Sequence, residues 1–340
     1  MDQIENTVAQ SPVIIKERKN WIDWMKTFGM LAIIWGHCFP TLFSSFLYAF
    51  SVGSFFVLSG YLVKHENSQR VFWVKLFRTL FVPYVFFAVL KAAQTIFSED
   101  GFTSLMAITT GFHSLGDVTG CGKLWFVYTL MILKIVFQYC ATTTSRRICI
   151  VVVSIAGAVA YCHFTDEVAW AVGNALISMP FFLLGNQLKN SNSFGRIETK
   201  LSSLVWWKSG ILVLVSALLT YSVSYFNGPA WMYMGEYGAN FILFCVAGLL
   251  GIFFLFALSC SLNRIKFVGC QVISVGSVAI LAYHQDINHP MLKWIQQQNW
   301  TTLQTDMSML LASIITLLAF IPIIHILSRY LPFAIGYRKV

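Results

Sequence analysis

Residues 18–40, RKNWIDWMKTFGMLAIIWGHCFP, set the pattern of the chain, because a basic, polar entry leads into an apolar helix with one histidine at its far end. Lys26 and His37 lie eleven positions apart. At about 100° per residue, this spacing places both side chains on nearly the same helix face, about 16 Å apart along the axis. The stretch therefore predicts a membrane helix with a cation near one surface and a titratable base near the other.

The composition is typical of a membrane protein. Of the 340 residues, 57% are hydrophobic and only 11% are charged, whereas soluble domains carry about 25% charged residues. We therefore predict an all-α, polytopic helical bundle that forms one domain over residues 1–340, with residues 1–20 as a cytoplasmic N-terminal segment. The basic residues behind the net charge of +9 lie between apolar spans, a distribution that favours membrane topology over a nucleic-acid partner.

Ten stretches are apolar and long enough to cross a bilayer, which takes about 20 residues each. They are residues 22–40, 44–63, 73–97, 124–141, 148–164, 169–188, 207–226, 239–259, 270–289 and 306–328. Lys and Arg concentrate in the connections on the side of both termini, while the opposite side holds only Lys123 and Lys293. Since basic loops stay in the cytoplasm, we expect both termini there and the chain in the inner (plasma) membrane.

The spacing of cysteine and histidine favours neither a disulfide framework nor a metal site. The eight cysteines form no CxxC pair, and most lie in apolar spans. We expect reduced thiols that pack as small hydrophobic groups. No HExxH pattern occurs, and His284 and His289 lack the i, i+4 spacing of helical ligands. We therefore expect no bound metal.

Ionisable groups inside membrane spans are costly and often mark functional sites. His37 is the first candidate for a catalytic base, the alternative being an interfacial histidine at the end of its span. Lys26 either faces the same cavity or extends to the cytoplasmic boundary. Lys75 and Arg78 share one face of a helix that begins at the cytoplasmic surface, where two cations bind phosphate or simply anchor the helix. Pro83 is expected to kink that helix.

Four more side chains could contact an acceptor or an oxyanion, on hydrogen-bonding capacity alone: Ser59, Tyr84, Trp125 and His284. Ser59 has no neighbouring base and no GxSxG elbow, so a serine hydrolase is not supported. Residues 98–123, which include His113, form either a cover over a substrate site or a partly helical connector. The aromatic loop 227–238 suits the membrane interface or stacking on sugar rings.

Five segments, in this order and spacing, resemble the acyltransferase-3 family of integral membrane O-acyltransferases, particularly its fucose 4-O-acetylase-like sugar acetyltransferases. They read WIDWMKTFGMLAIIWGH, FFVLSGYLVK, KLFRTLFVPY, KLWFVYTLM and VGSVAILAYH. The family has an Arg-x10-His pattern in its first span and often Arg-x-x-Arg at the start of its third. This chain has Lys26 with His37, and Lys75 with Arg78. Each Lys keeps the positive charge but loses the planar, bidentate contact of an arginine.

The resemblance implies a membrane O-acetyltransferase that moves an acetyl group from cytoplasmic acetyl-CoA to a hydroxyl of a cell-surface or exported glycan. Acetyl-CoA would be the donor substrate, with no permanently bound cofactor. His37 would act as the general base, and Lys26, Lys75 and Arg78 would bind CoA phosphates at the cytoplasmic mouth. The expected partners are acetyl-CoA, the glycan and the bilayer, and a homo-oligomer is left open.

Two other functions remain open at this stage. A polysaccharide or small-molecule transporter also suits ten spans with intramembrane histidine and lysine, although the chain shows no inverted repeat. The second alternative is an O-acyltransferase that uses another acyl donor, such as succinyl-CoA.

Overall fold

The computed structural model describes residues 18–93, 101–110, 122–163 and 168–337. Across these ranges the chain is helical, with one isolated bridge between Trp231 and Glu236 and no strand. The helices are α1 (Asn20–Gly36), α2 (Ser44–Leu62), α3 (Gln69–Leu76), α4 (Val82–Ala92), α5 (Gly101–Thr110), α6 (Trp125–Tyr139), α7 (Thr144–Tyr161), α8 (Val172–Lys189), α9 (Asn192–Ser203), α10 (Trp206–Asn227), α11 (Phe241–Ser261), α12 (Val268–Val275), α13 (Ser277–Gln296) and α14 (Thr302–Tyr330).

The predicted class, an all-α polytopic membrane bundle, is confirmed. Within the described residues, seven helical segments are long and apolar enough to cross a membrane, or eight if α12 and α13 form one broken span. Two predicted spans correspond to short helices, α1 with 17 residues and α6 with 15. At 1.5 Å per residue these measure about 26 and 22 Å, against a hydrocarbon core of about 30 Å. The count of ten spans and the cytoplasmic termini therefore remain predictions.

Helix α1 lies at the centre of the bundle and packs against α2, α11, α12 and α14. Trp21, Met25 and Ile34 are among the largest fully buried side chains of the protein. The helix ends at Gly36, before the predicted residue 40, because the chain then turns. Phe39 adopts a positive φ of 54°, and Pro40 cannot donate a helical hydrogen bond.

Two glycines allow α2 and α8 to pack backbone against backbone. A Cβ atom added at Gly60 would lie 1.8 Å from the carbonyl oxygen of Phe182, and one added at Gly185 would lie 1.9 Å from that of Val57. Neither position has room for a side chain. Small residues at helix crossings provide such close approach inside membranes.

The span that contains Pro83 changes its helical register before the proline. Residues Phe77–Phe81 form a π-helical turn between α3 and α4, and the N–H of Val82 donates to the carbonyl of Phe77. Because proline has no N–H, the regular α-helical bonding cannot continue through it. A π-turn is one way for a helix to absorb that interruption.

Helices α12 and α13 are bent by 93° at a break around Gly276. A Cβ atom at Gly276 would lie 2.3 Å from side-chain carbons of Ile324 on α14. A larger residue at this position would therefore require the Ile324 side chain to move. Helix α13 continues from this break and contacts α1, which brings His284 to the end of the first helix.

Polar contacts hold the entry of α1 against the amphipathic helix α9. Glu198 on α9 accepts hydrogen bonds from Lys19 Nζ at 2.6 Å and from Trp21 Nε1 at 2.9 Å. Arg18 donates two bonds to the buried carboxylate of Asp23, at 2.6 and 2.9 Å. The hydrogen bond with Asp23 raises the pKa of Arg18. These contacts fix one end of α1, while His37 lies at the other.

Candidate active site

His37 follows directly after α1 and keeps nearly helical geometry. Its φ and ψ are −72° and −4°, and its N–H donates to the carbonyl of Ile33 at 3.0 Å. The imidazole is half-buried. Because the chain turns away at Phe39, the ring lies at the very end of the helix.

The structure pairs His37 with His284 of α13. The Nε2 atom of His284 lies 3.0 Å from Nδ1 of His37, although the two residues are 247 positions apart. The ring centroids are 4.9 Å apart. His284 is only 1% exposed, and its Nδ1 lies 3.0 Å from the carbonyl oxygens of both Ile280 and Leu281. Two site candidates that were separate in the sequence thus form one hydrogen-bonded pair.

A buried polar cluster fastens the turn after His37 to α13 and α14. The side-chain amide of Asn288 donates to the Cys38 sulfur at 3.0 Å, and the Ser313 hydroxyl lies 3.4 Å from the same atom. The Cys38 thiol also donates to the carbonyl of Ile34. Cys38 is a free, buried thiol, but it is a hydrogen-bonded member of this cluster rather than the purely hydrophobic group expected from the sequence.

Asp306 holds the same turn from α14. Its carboxylate is buried and accepts the backbone N–H groups of Thr41 and Leu42, at 2.9 and 2.7 Å. Its backbone carbonyl accepts from Trp35 Nε1 at 3.2 Å. Asp306 is not among the site residues predicted from the sequence. An acid at the first position of a predicted apolar span was the available signal.

His37 lines a cavity of about 70 Å³ between α1, α2, α6 and α13. Trp125 and Lys123 also line it, together with Tyr48 of α2. The rest of its wall is mainly apolar and includes Met30, Ile33, Val52, Phe55, Phe126, Val278 and Leu281. The space exceeds the roughly 10–15 Å³ that one water needs. A small polar group can therefore reach the histidine inside an apolar pocket.

The aromatic loop after α10 closes the cavity from the predicted outer side. Met232 and Tyr233 line it. In the amide orientation that satisfies its hydrogen bonds, the Asn174 side chain on α8 donates to the carbonyls of both residues, at 2.8 and 3.1 Å. Asn227 holds the loop base by donating to the carbonyl of Tyr237 at 2.8 Å. Part of the predicted interfacial loop thus forms a wall of the site.

The cations predicted at the cytoplasmic mouth do not share one set of contacts. Lys75 pairs with Glu66 at 2.7 Å, whereas the Arg78 guanidinium lies 5.6 Å from the ring centre of Tyr337. Arg78 belongs to the π-turn, which begins after Lys75. Lys26 is half-buried on α1 and does not line the cavity at His37. It precedes Met30 of the cavity wall by one helical turn.

Lys75 lines a second cavity, of about 260 Å³, with two lysines that the sequence analysis had not assigned to a site. These are Lys64, which follows α2, and Lys134 of α6. Glu66 and Gln138 complete its polar lining. In the sequence, Lys134 was visible only as an interruption of a predicted span.

Ser59 and Tyr84 lie away from the histidine pair. Ser59 is near the C-terminal end of α2, beside the crossing of Gly60 with α8, and does not line the cavity. Tyr84 and Tyr128 both donate to the carbonyl of Ile108, at 2.9 and 2.6 Å, which fastens α5 to the bundle. Since α5 spans Gly101–Thr110, the connection 98–123 is partly helical, and His113 lies outside the described residues. In the described part of the chain, no cluster of metal-ligating side chains occurs.

The sequence model of one protein family matches residues 19–329, and the description of that family is acyltransferase domain. The match includes both histidines of the pair and both cavities. No curated protein and no solved structure matches the chain.

Proposed function

Because the chain belongs to the acyltransferase-3 family and is thus a membrane acyltransferase, we propose that it moves an acetyl group from acetyl-CoA to a hydroxyl of a glycan. The observation that carries this proposal is the His37–His284 pair in the wall of an apolar cavity. The proposed acceptor is a cell-surface or exported glycan, as in the fucose 4-O-acetylase-like branch. The proposed location is the plasma membrane.

The reaction needs a base, because a sugar hydroxyl is too weakly acidic to attack a thioester at neutral pH. His37 accepts the hydroxyl proton while the oxygen attacks the thioester carbonyl, and a positioned base of this kind contributes about 10²–10⁴-fold. The acetyl group passes directly to the acceptor. Cys38, the residue next to His37 in the chain, is buried and hydrogen-bonded to Asn288 and Ile34, which does not suit a nucleophile.

The tetrahedral oxyanion needs hydrogen-bond donors at the site. Ser59 and Tyr84 were considered for this role, but neither lines the cavity that contains His37. Trp125 and Lys123 do line it, and both side chains carry N–H donors. We assign the oxyanion contact to these two residues.

The donor's phosphates are proposed to bind at the cytoplasmic end. Lys64, Lys75 and Lys134 line one cavity at the end that we propose to be cytoplasmic, and lysine binds phosphate as a point charge. Arg78 is exposed and precedes Thr79, which lines that cavity, and we propose that it contributes a further positive charge. Lys26, on α1, lies between the two ends along the helix. The pantetheine arm would run from the lysines toward His37.

One observation favours a second candidate, transfer of an acidic acyl group. Lys123 places a positive charge in the wall of the cavity beside His37. A succinyl group carries a carboxylate that could pair with it. Equal rates with succinyl-CoA and acetyl-CoA would support this broader donor range.

The test uses purified protein in proteoliposomes with acetyl-CoA labelled on the acetyl group and a glycan acceptor. The proposal predicts free CoA and labelled acceptor in equal amounts, both dependent on the acceptor. Movement of unmodified glycan across the vesicle membrane, without release of CoA, would contradict the proposal and support a transporter. Release of CoA without labelled acceptor would indicate hydrolysis only.

A further inference from the structure

We propose that His284 is a positioning residue that holds His37 in one protonation form, with hydrogen on Nδ1 and the lone pair on Nε2. This inference rests on the proposed function, because it assigns which nitrogen of His37 acts as the base. It also predicts which nitrogen of His37 carries hydrogen in the resting protein, and this can be measured without any reaction.

The first step is the environment of His284 Nδ1. This atom lies 3.0 Å from the carbonyl oxygen of Ile280 and 3.0 Å from that of Leu281. A carbonyl oxygen only accepts hydrogen bonds. An unprotonated Nδ1 would direct its lone pair at two acceptors inside a buried site, which is costly. His284 therefore carries a hydrogen on Nδ1.

The second step is the charge of His284. The ring is 1% exposed, and no carboxylate among the described residues forms an ion pair with it. Asp286, the nearest acid in the sequence, pairs with Lys91 instead. A second proton would create an uncompensated buried charge. His284 is thus neutral, and its Nε2 is an acceptor.

The third step carries this assignment to His37. Since His284 Nε2 accepts, and His37 Nδ1 is the atom 3.0 Å from it, the hydrogen between the rings belongs to His37 Nδ1. To act as a base His37 must be neutral, and a neutral imidazole has one N–H and one lone pair. The lone pair of His37 therefore lies on Nε2, the nitrogen at the other edge of a ring that lines the cavity. His284 thus orients His37, the proposed base, by accepting a hydrogen bond from its second nitrogen, Nδ1.

The proton balance of the transfer follows from this arrangement. The acceptor hydroxyl gives its proton to His37 Nε2 while its oxygen bonds to the thioester carbon. The Nδ1–H of the resulting imidazolium stays bonded to His284 Nε2, which stabilises the charge. When the carbon–sulfur bond breaks, the Nε2 proton passes to the CoA thiolate. His37 returns to its starting form, and no other reactant is needed.

Nitrogen-15 NMR of histidine-labelled full-length protein in detergent tests the resting form. The His37 signals are assigned by their loss in His37→Gln. The inference predicts hydrogen on Nδ1 and none on Nε2 of His37, at a pH where the protein is active. A His37 ring protonated on Nε2 alone would overturn the inference. If the predicted form is found but the wild-type protein transfers no acyl group, the proposed function fails while the assignment stands.

Variants of His284 test its effect on turnover. His284→Phe keeps a ring but removes the acceptor, so kcat should fall by about 10²–10⁴-fold with the KM for acetyl-CoA unchanged. In His284→Gln, the amide oxygen can accept from His37 Nδ1 and the amide nitrogen can donate to a carbonyl. We expect kcat within about tenfold of wild type, the effect of one neutral hydrogen bond.

The matched control is His289→Phe, an exposed histidine on the same helix, which should leave kcat unchanged. If His284→Phe does not fold, the NMR assignment and the His284→Gln rate still test whether His284 positions His37. A His284→Phe protein with the wild-type kcat would contradict the inference, and so would a His284→Gln protein as slow as folded His284→Phe.

Discussion

At the scale of residues, the positive charge of Lys75 is proposed to bind a phosphate of the acyl donor. Its side chain is exposed and pairs with Glu66 at 2.7 Å, and it lines a cavity with Lys64 and Lys134. An exposed ion pair contributes little to stability, about 0–1 kcal/mol. Lys75 can therefore leave Glu66 for a phosphate at low cost, so its main contribution is expected in donor binding.

Replacement of Lys75 by Gln should raise the KM for acetyl-CoA with little change in kcat. A hydrogen bond to a charged group contributes about 1.5–3 kcal/mol, which corresponds to roughly 10–100-fold in affinity. Steady-state kinetics with varied acetyl-CoA measure this. Lys208→Gln, an exposed lysine that does not line this cavity, is the control and should not change KM. An unchanged KM in Lys75→Gln would remove this cavity from the proposed donor site.

The sequence supplied the two histidines but not their relation. His37 stood out because a base at the end of an apolar helix is unusual, and His284 because polar residues end an otherwise apolar stretch. Their contact depends on the break at Gly276 and on the packing of α13 against α1, which no local pattern encodes. Lys75 and Arg78, whose spacing of three predicts one shared face, likewise have different partners, Glu66 and the ring of Tyr337.

At the scale of elements, α2 and α8 cross in close backbone contact. Gly60 and Gly185 each approach the backbone of the other helix, and no side chain fits at either position. Protein interiors are close-packed, so a new methyl group at such a contact must displace a helix. Helix α2 also provides Tyr48 and Val52 to the cavity wall, so this packing bears on the site.

Alanine at Gly60 or at Gly185 should lower the thermal unfolding midpoint of the purified protein, because the added Cβ would overlap a carbonyl oxygen. Overpacking of this kind costs about 1–3 kcal/mol or more. Gly210→Ala in α10 is the matched control, since no atom lies within 4 Å of its added Cβ. Equal midpoints for all three variants would show that α2 and α8 do not cross as closely as described.

Most helices could be located from apolar stretches alone, since apolar length is a strong signal in membrane proteins. Their exact ends could not, because α1 stops at Gly36 where Phe39 turns the chain and Asp306 holds the next two N–H groups. That turn depends on a residue 265 positions away from Thr41. The position of His37, the proposed base, at the helix end is therefore fixed by tertiary contacts.

At the scale of the whole molecule, the proposed reaction depends on the orientation of the bundle in the membrane. The lysine cavity must face the cytoplasm, where acetyl-CoA is found, and the aromatic loop at Met232 and Tyr233 must face outward. The concentration of Lys and Arg in alternate connections predicts this orientation. Helix α1 then runs between the two sides with His37 toward the outer one.

Two exposed cysteines test this orientation without adding any new residue type. Cys140 follows α6 on the predicted cytoplasmic side, and Cys162 follows α7 on the opposite side. In two variants, Cys140 or Cys162 is the only cysteine that remains in the chain. A membrane-impermeant maleimide should label Cys162 in intact cells and Cys140 only after permeabilisation. The reverse pattern would invert the topology and separate the lysine cavity from cytoplasmic acetyl-CoA.

The most direct measurement is acceptor-dependent CoA release by His37→Ala protein beside wild type, with the exposed His289→Ala as the control. The predicted loss in kcat is about 10²–10⁴-fold. The His37→Ala protein should remain folded and should still bind acetyl-CoA, since His37 does not line the lysine cavity. His289→Ala should keep the wild-type rate. A folded His37→Ala protein that releases CoA at the wild-type rate would contradict the role of His37 as the base.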